Sequence, residues 1–304
     1  MQFFFKNKPF GVRALAALLA LAFFSTPALA QMRYGFKTGL NFGSIDGPLE
    51  TTASGATPEN WNSLTSFHIG ISVDYVFPGT PFGIRGEVLY NKKGSKYTYD
   101  GESFRTFRFP DGTFTRTSGN SRYLINVTNA YVDIPVVFHA RWKDLELSAG
   151  AYAGFLVQSI GEGSFAYTGG RTLPLQLAVS DLEFNLDYDY GSDEPGKGQG
   201  DQTVLAQVGG KPLEMPKTLG AYFDNNEDRG SLYNSLDYGL VGGLNYYINS
   251  LYVGFRLQYG LADISNTDAD VAKAATNNGS PIYRSDTDRN MVYQVSVGFS
   301  FGGR

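Results

Sequence analysis

Between Tyr131 and Val157 the chain alternates apolar and polar residues through two consecutive runs separated by Lys143-Asp144. In the first run Val132, Ile134, Val136, Phe138, Ala140 and Trp142 share one face, and Asp133, His139 and Arg141 share the other. In the second, Leu145, Leu147, Ala149, Ala151, Ala153, Phe155 and Val157 alternate with Glu146, Ser148, Gly150 and Gly154. Strand side chains point to opposite faces with period two, so this pattern predicts a tight β-hairpin with one apolar face and one face of charge and glycine. Such a hairpin needs a greasy phase on one side and a polar one on the other. A lipid-exposed transmembrane β-hairpin meets both demands.

The N-terminus bears on which greasy phase is meant. Lys6, Lys8 and Arg13 precede an apolar run from Ala14 to Phe24, and Ala28-Leu29-Ala30 supplies the small residues of an export cleavage site. Residues 1–30 therefore read as a cleaved signal peptide. The apolar run is about half the length that a membrane-spanning helix needs, and no later stretch approaches twenty apolar residues. Residues 31–304 read as one barrel domain carrying a long insertion at about 159–235. Without Lys6, Lys8 and Arg13, 22 of the 25 basic residues remain against 29 acidic ones, a net charge of about -7. That balance argues against a nucleic-acid partner. With no cysteine in the chain, neither a disulfide framework nor a thiolate metal site can form, and no cofactor is expected.

The same period-two reading predicts strands at 34–42, 66–77, 82–91, 236–248, 251–261 and 291–301. The last is the cleanest, with Tyr293, Val295, Val297, Phe299 and Phe301 alternating against Gln294, Ser296, Gly298 and Ser300. Connections alternate long and short, the asymmetry of outer-membrane barrels with short periplasmic turns and long extracellular loops. The expected fold is all-β, a transmembrane antiparallel β-barrel of eight strands, or ten if the insertion contributes a pair. A soluble β-sandwich has little reason to put charge inside almost every hairpin or to sort its loops by length.

The inward set is Lys37, His68, Asp74, Arg85, Glu87, Asp133, His139, Arg141, Glu146, Asp237 and Arg256. Eight strands enclose room for side chains only, so these charges should pair and fill the lumen. A small-solute pore is the alternative, tested by conductance. A lipid-modifying or proteolytic enzyme would need a base beside a nucleophile. His68 and His139 are expected at opposite ends of the barrel, and His68 lies roughly 20 Å from Asp74 along the strand, so such an enzyme would rest on His68 and an acid or serine from a loop. Asp187, Asp189, Asp193 and Glu194 have oxygen spacings that a weak calcium site could use, and equally those of a solvated mobile loop. Trp61, Tyr97, Tyr99, Phe107, Tyr222 and Phe223 could form a surface contact for a partner, or pack extended hairpins together.

Four motifs carry a family resemblance: Gly35-Phe-Lys-Thr-Gly-Leu-Asn41, Tyr131-Val-Asp-Ile-Pro135, Asp237-Tyr-Gly-Leu-Val-Gly-Gly-Leu244 and Tyr259-Gly-Leu261. In this order they resemble the PorT-like outer-membrane β-barrel family of Bacteroidota. The resemblance implies an eight-stranded barrel in the outer membrane, with a possible secretion-system or surface protein as partner and no catalytic motif to carry over. Outer-membrane lipid, lipopolysaccharide and the barrel assembly machinery complete the expected partners. The roughly 75-residue insertion after Val157 departs from a compact family member and favours binding at the cell surface.

Overall fold

The computed structural model describes residues 31–277 and 280–302; the signal-peptide reading of residues 1–30 lies outside the described residues. The chain is all-β. Its strands are β1 (Met32–Asp46), β2 (Glu59–Val76), β3 (Phe82–Arg108), β4 (Phe114–Trp142), β5 (Leu145–Thr172), β6 (Leu182–Asp189), β7 (Gly198–Val208), β8 (Lys211–Leu219), β9 (Leu236–Ile248), β10 (Leu251–Gly260), β11 (Val271–Asn277), β12 (Ser280–Tyr283) and β13 (Arg289–Gly302).

The hydrogen-bonded order is β4-β3-β2-β1-β13-β10-β9-β5, continued by β6-β8-β7, and β4 pairs with β5 as well. All pairings from β1 to β5 and among β9, β10 and β13 are antiparallel. This is a barrel-forming sheet whose outer face carries the apolar residues of the alternation: Phe36, Ile71, Val136, Phe138, Val253 and Val297 are all exposed. No helix among the described residues is long and apolar enough to cross a membrane. Short connections cluster at one end, including the two-residue links at Lys143-Asp144 and Asn249-Ser250. Lys143 and Asn249 there take positive φ, 55° and 59°.

At the other end β3, β4 and β5, of 27, 29 and 28 residues, run far beyond the roughly 9–11 residues that a tilted strand needs to span a bilayer. These strands therefore continue well past the period-two runs read from the sequence, as a protruding ribbon. The odd-numbered face of β3 holds Arg85, Glu87 and Lys93 in its lower part and Tyr97, Tyr99 and Phe107 above, all buried. A charged interior thus becomes an aromatic one along a single strand face.

On β5 the inward residues are Glu146, Ser148 and Tyr152 below and Ser159, Phe165 and Tyr167 above. The change from even to odd comes from a register shift, where Ala130 pairs with Gln158 but Tyr131 with Leu156. A bulge of this kind leaves one residue unpaired and swaps the faces that follow. The insertion is ordered as β6, β7 and β8: β6 pairs with the upper part of β5, and β8 lies parallel to β6. The strands of the insertion continue the sheet beyond the upper part of β5, while β9 pairs with its lower part.

The head has its own core. Tyr123 stacks on Phe165 at 4.3 Å between centroids and Phe165 on Phe184 at 5.8 Å. The Arg105 guanidinium lies 4.3 Å from the Phe165 ring centre.

Candidate functional site

The interior charges form three tiers. Nearest the short turns, Arg85 donates to both oxygens of Glu146 at 2.8 Å and to Asp74 at 3.1 Å, while His139 Nε2 meets Asp74 Oδ1 at 2.7 Å. Tyr247 and Asn245 donate to the remaining capacity of Glu146. In the middle, Glu87 receives Lys37 at 2.7 Å and a bidentate pair from Arg256, also at 2.7 Å. Towards the head, Lys93 lies 3.1 Å from Asp133 and 2.8 Å from Asp237, its ammonium flanked by the Tyr131 and Tyr152 rings. A neutral belt of Asn41, Asn91, Gln258 and Gln294 is joined by side-chain hydrogen bonds within itself and to Asp133 of the uppermost tier. Burying charge is tolerable when it is paired, and each charged side chain of the tiers has an opposite charge beside it, although Asp133 Oδ1 and His139 Nδ1 take no hydrogen bond.

Ten of the eleven residues expected inside are buried there. Arg141 differs. It is half-buried at the short-turn rim, donates to the Lys143 carbonyl and places its guanidinium 3.7 Å from the centre of the Tyr247 ring. Its long side chain reaches the mouth of the interior, where a ring face substitutes for a carboxylate. Lys93 is the residue that the period-two reading missed. It follows Lys92 and precedes Gly94, so it reads as the start of a polar loop, although it continues the odd face of Arg85 and Glu87.

His68 is fully buried and belongs to the neutral belt. Its Nδ1 lies 2.7 Å from Asn41 Oδ1 and its Nε2 2.9 Å from Ser296 Oγ. Serine, histidine and an orienting amide in that sequence have the connectivity of a nucleophilic relay. Among the described residues no loop acid or serine contacts His68; Asn41 comes from the adjoining β1 and Ser296 from β13, one strand further on. His139 sits with Asp74 nearest the short turns, well below the belt that holds His68.

Above the interior, the head encloses a cavity of about 780 Å³. Trp61, Tyr97, Tyr123, Tyr190 and Tyr222 supply rings to its wall, and Arg105, Lys273, Arg284, Glu59 and Asp224 supply charge. Trp61 packs edge-on against Tyr97 at 4.7 Å, and Tyr222 donates to the Tyr190 carbonyl. Of the aromatics expected as a contact patch, Tyr97, Tyr99, Phe107 and Tyr222 are buried, and Trp61 and Phe223 pack against the head core. They join the hairpins together, and Trp61, Tyr97 and Tyr222 face the cavity.

Among the loop acids, Asp193 accepts from the Asp189 and Ala221 amides and from Gln199, and Asp189 accepts from the Gly191 amide. Asp193 therefore organises a turn, while Asp187 and Glu194 are exposed. Among the described residues, carboxylates and imidazoles close enough to share an ion occur elsewhere, as Asp74, His139 and Glu146 and as Asp270, Asp286 and Asp288. Arg85 already occupies the first group and Arg284 reaches into the second. In the second group burial raises the Asp288 carboxyl to about 6, with Asp286 and Asp270 adding to the shift and the Ser265 hydroxyl opposing it.

A family model described as outer membrane protein beta-barrel domain matches residues 25–266. No curated protein matches the chain. Among solved structures, the chain is similar to Ail, the attachment invasion locus protein of Yersinia pestis, at 8% identity and a TM-score of 0.32, over 89% of this chain and 99% of that one. It is similar to Neisserial surface protein A at 11% identity and a TM-score of 0.29, over 88% and 97%. The outer membrane protease OmpT of Escherichia coli matches at 8% identity and a TM-score of 0.29, over 89% and 96%. Likenesses of this size carry nothing about what the chain does.

Proposed function

Since the chain belongs to the outer membrane protein β-barrel domain family and resides in the outer membrane, we propose that it is a non-enzymatic barrel whose extracellular head binds a partner. In this reading β1–β5, β9, β10 and β13 close as eight strands, with the pairing of β4 to β5 completing the circuit, the short turns face the periplasm, and the head stands at the cell surface. The observation that carries it is the division of the molecule: side chains in three paired tiers fill the interior, while the 780 Å³ cavity lies in the head. A plugged barrel is an anchor, and the recognising surface is what it holds up. The PorT-like motifs at 35–41, 131–135, 237–244 and 259–261 favour a secretion-associated protein as one such partner.

Two measurements test this. The purified protein in a planar bilayer should give no steady conductance, because inside the barrel Arg85 and Lys93 each bridge two carboxylates and Arg256 clamps Glu87. Stable open channels would favour the pore reading. A photo-crosslinking side chain at Phe104 on the cavity wall, or at the exposed Leu175, should capture a defined surface component in cells that the same probe at lipid-facing Ile71 does not. Identical products from all three positions would remove the docking role.

A further inference from the structure

We infer that the head cavity is a binding site for a carboxylated oligosaccharide, with Lys273 as the group that receives the carboxylate. This inference rests on the head being the binding part of the molecule, and names what it takes.

Among the described residues, the carboxylates of the cavity wall are engaged by groups other than Lys273, which makes no hydrogen bond or close ion pair of its own. Glu59 is taken by Arg284, Asp224 by Arg105, and Glu227 by Arg229. Asp270 lies 3.8 Å from Arg284, and Asp288 accepts from the Ser265 hydroxyl. Lys273, on β11, has ring faces as its contacts among the described residues: its ammonium is 5.0 Å from the centre of Tyr97 and 5.7 Å from that of Tyr123. An ammonium carries three donors, and a ring face satisfies none of them as a carboxylate does. Next to it, the Tyr97 hydroxyl is buried and has no hydrogen-bond partner. Buried polar groups are nearly always partnered, so an orphaned hydroxyl on a cavity wall marks where something polar belongs.

The body of the ligand follows from the rest of the wall. A hydrocarbon body would desolvate the Arg284–Glu59 and Arg105–Asp224 pairs without replacing their water, which is unfavourable for every polar group left bare. A polyhydroxylated body replaces that water with its own hydroxyls and lays its C–H faces on Trp61 and Tyr190, rings with an apolar face and a polar edge. Cavities of roughly 300–1,000 Å³ hold drug-sized ligands, which for a saccharide is on the order of two to three rings.

Trp61 and Trp142 are the two tryptophans of the chain. Trp142 is 53% exposed at the short-turn rim, so Trp142→Phe leaves Trp61 as a reporter inside the cavity. The full chain carrying this change is titrated in detergent with trigalacturonate, with neutral maltotriose, and with 2-naphthoate as a carboxylate on an apolar body. The expected result is a saturable change in Trp61 emission with trigalacturonate, at least tenfold weaker binding of maltotriose, and weaker binding of 2-naphthoate. Lys273→Met should weaken trigalacturonate binding at least fivefold and Lys273→Arg should restore most of it, which separates charge loss from misfolding. Absence of saturable binding, equal affinity for maltotriose, or preference for 2-naphthoate overturns the ligand class. If trigalacturonate fails while the Phe104 probe still captures a surface protein, the saccharide falls and the docking role stands.

Discussion

Arg85 on β3 gives one N–H to each carboxylate oxygen of Glu146 on β5, both at 2.8 Å, and a third bond to Asp74 on β2. One guanidinium thus ties three strands together through the interior. Its planar fork suits bidentate pairing in a way that a lysine cannot match. Arg85→Ala leaves two buried carboxylates, with His139 as the remaining charged-type neighbour. The expected cost is about 3–5 kcal/mol, read as a lower temperature at which the protein in detergent loses its compact electrophoretic form. Arg85→Met with Glu146→Met removes one charge of each sign and should cost less than the single change. An unaltered transition for Arg85→Ala would show that the interior is not held by ion pairs.

How far such tiers can be read from sequence depends on whether period two survives. It does within the membrane-facing part of β9, β10 and β13, where the expected runs 236–248, 251–261 and 291–301 match the strands within one or two residues. It fails on β5 after Val157, because the bulge opposite Ala130 and Tyr131 exchanges the faces and makes a continuing strand look like a loop. It fails on β3 for another reason. Lys92 and Lys93 look solvated, yet Lys93 is the inward one and takes both Asp133 and Asp237. The cavity was not legible, since Lys273, Arg105 and Tyr97 are 176 residues apart at the extremes and only the strand extensions bring them together.

Gly39 on β1 is a second determinant of the interior. A Cβ built there would run into the Val295 carbonyl and press on the His68 ring and the Ser296 backbone. The obstacles are largely backbone, which cannot turn aside. Gly39→Ala is therefore expected to destabilise by about 1–3 kcal/mol or more, and the temperature-dependent electrophoretic shift measures it. A neutral outcome would mean that β1 and β13 can separate locally without penalty.

The Ser296–His68–Asn41 chain gives opposite expectations under the structural and catalytic readings. None of the three lines the head cavity, and His68 and Asn41 are fully buried. Ser296→Ala should cost about 1 kcal/mol through the lost hydrogen bond, with up to roughly 3 if His68 Nε2 stays unpaired. The intact protein should not react with a fluorophosphonate probe. Labelling at Ser296, or ester hydrolysis lost in Ser296→Ala, would make the barrel an enzyme.

Asp288 makes the head respond to pH in the opposite direction to a salt-bridged carboxylate. Burial raises its carboxyl from 3.8 to about 6, and burial raises Asp270 beside it as well. The groups around it are Asp286, Asp270 and Arg284 as charges, the Ser265 hydroxyl on Oδ2, and Asp263, whose carboxylate accepts the Asp288 amide. Between about 3.8 and 6 the folded head binds more protons than the unfolded chain, so its stability falls as pH rises through that window. The penalty is complete above the folded value and absent below the unfolded one. Its size is at most about 3 kcal/mol, from roughly 1.4 kcal/mol for each pH unit of displacement. The Ile264 amide, bonded to the Asp288 carbonyl at 2.9 Å, is a local reporter. Its hydrogen-exchange protection, corrected for intrinsic rate, should increase as pH is lowered from 7 to 4.5. Asp288→Asn should flatten that slope and give the protected state at neutral pH. Protection that instead decreases in acid, or a slope unchanged by Asp288→Asn, would mean that the Arg284 ion pairs with Glu59 and Asp286 govern the head and the Asp288 carboxyl does not.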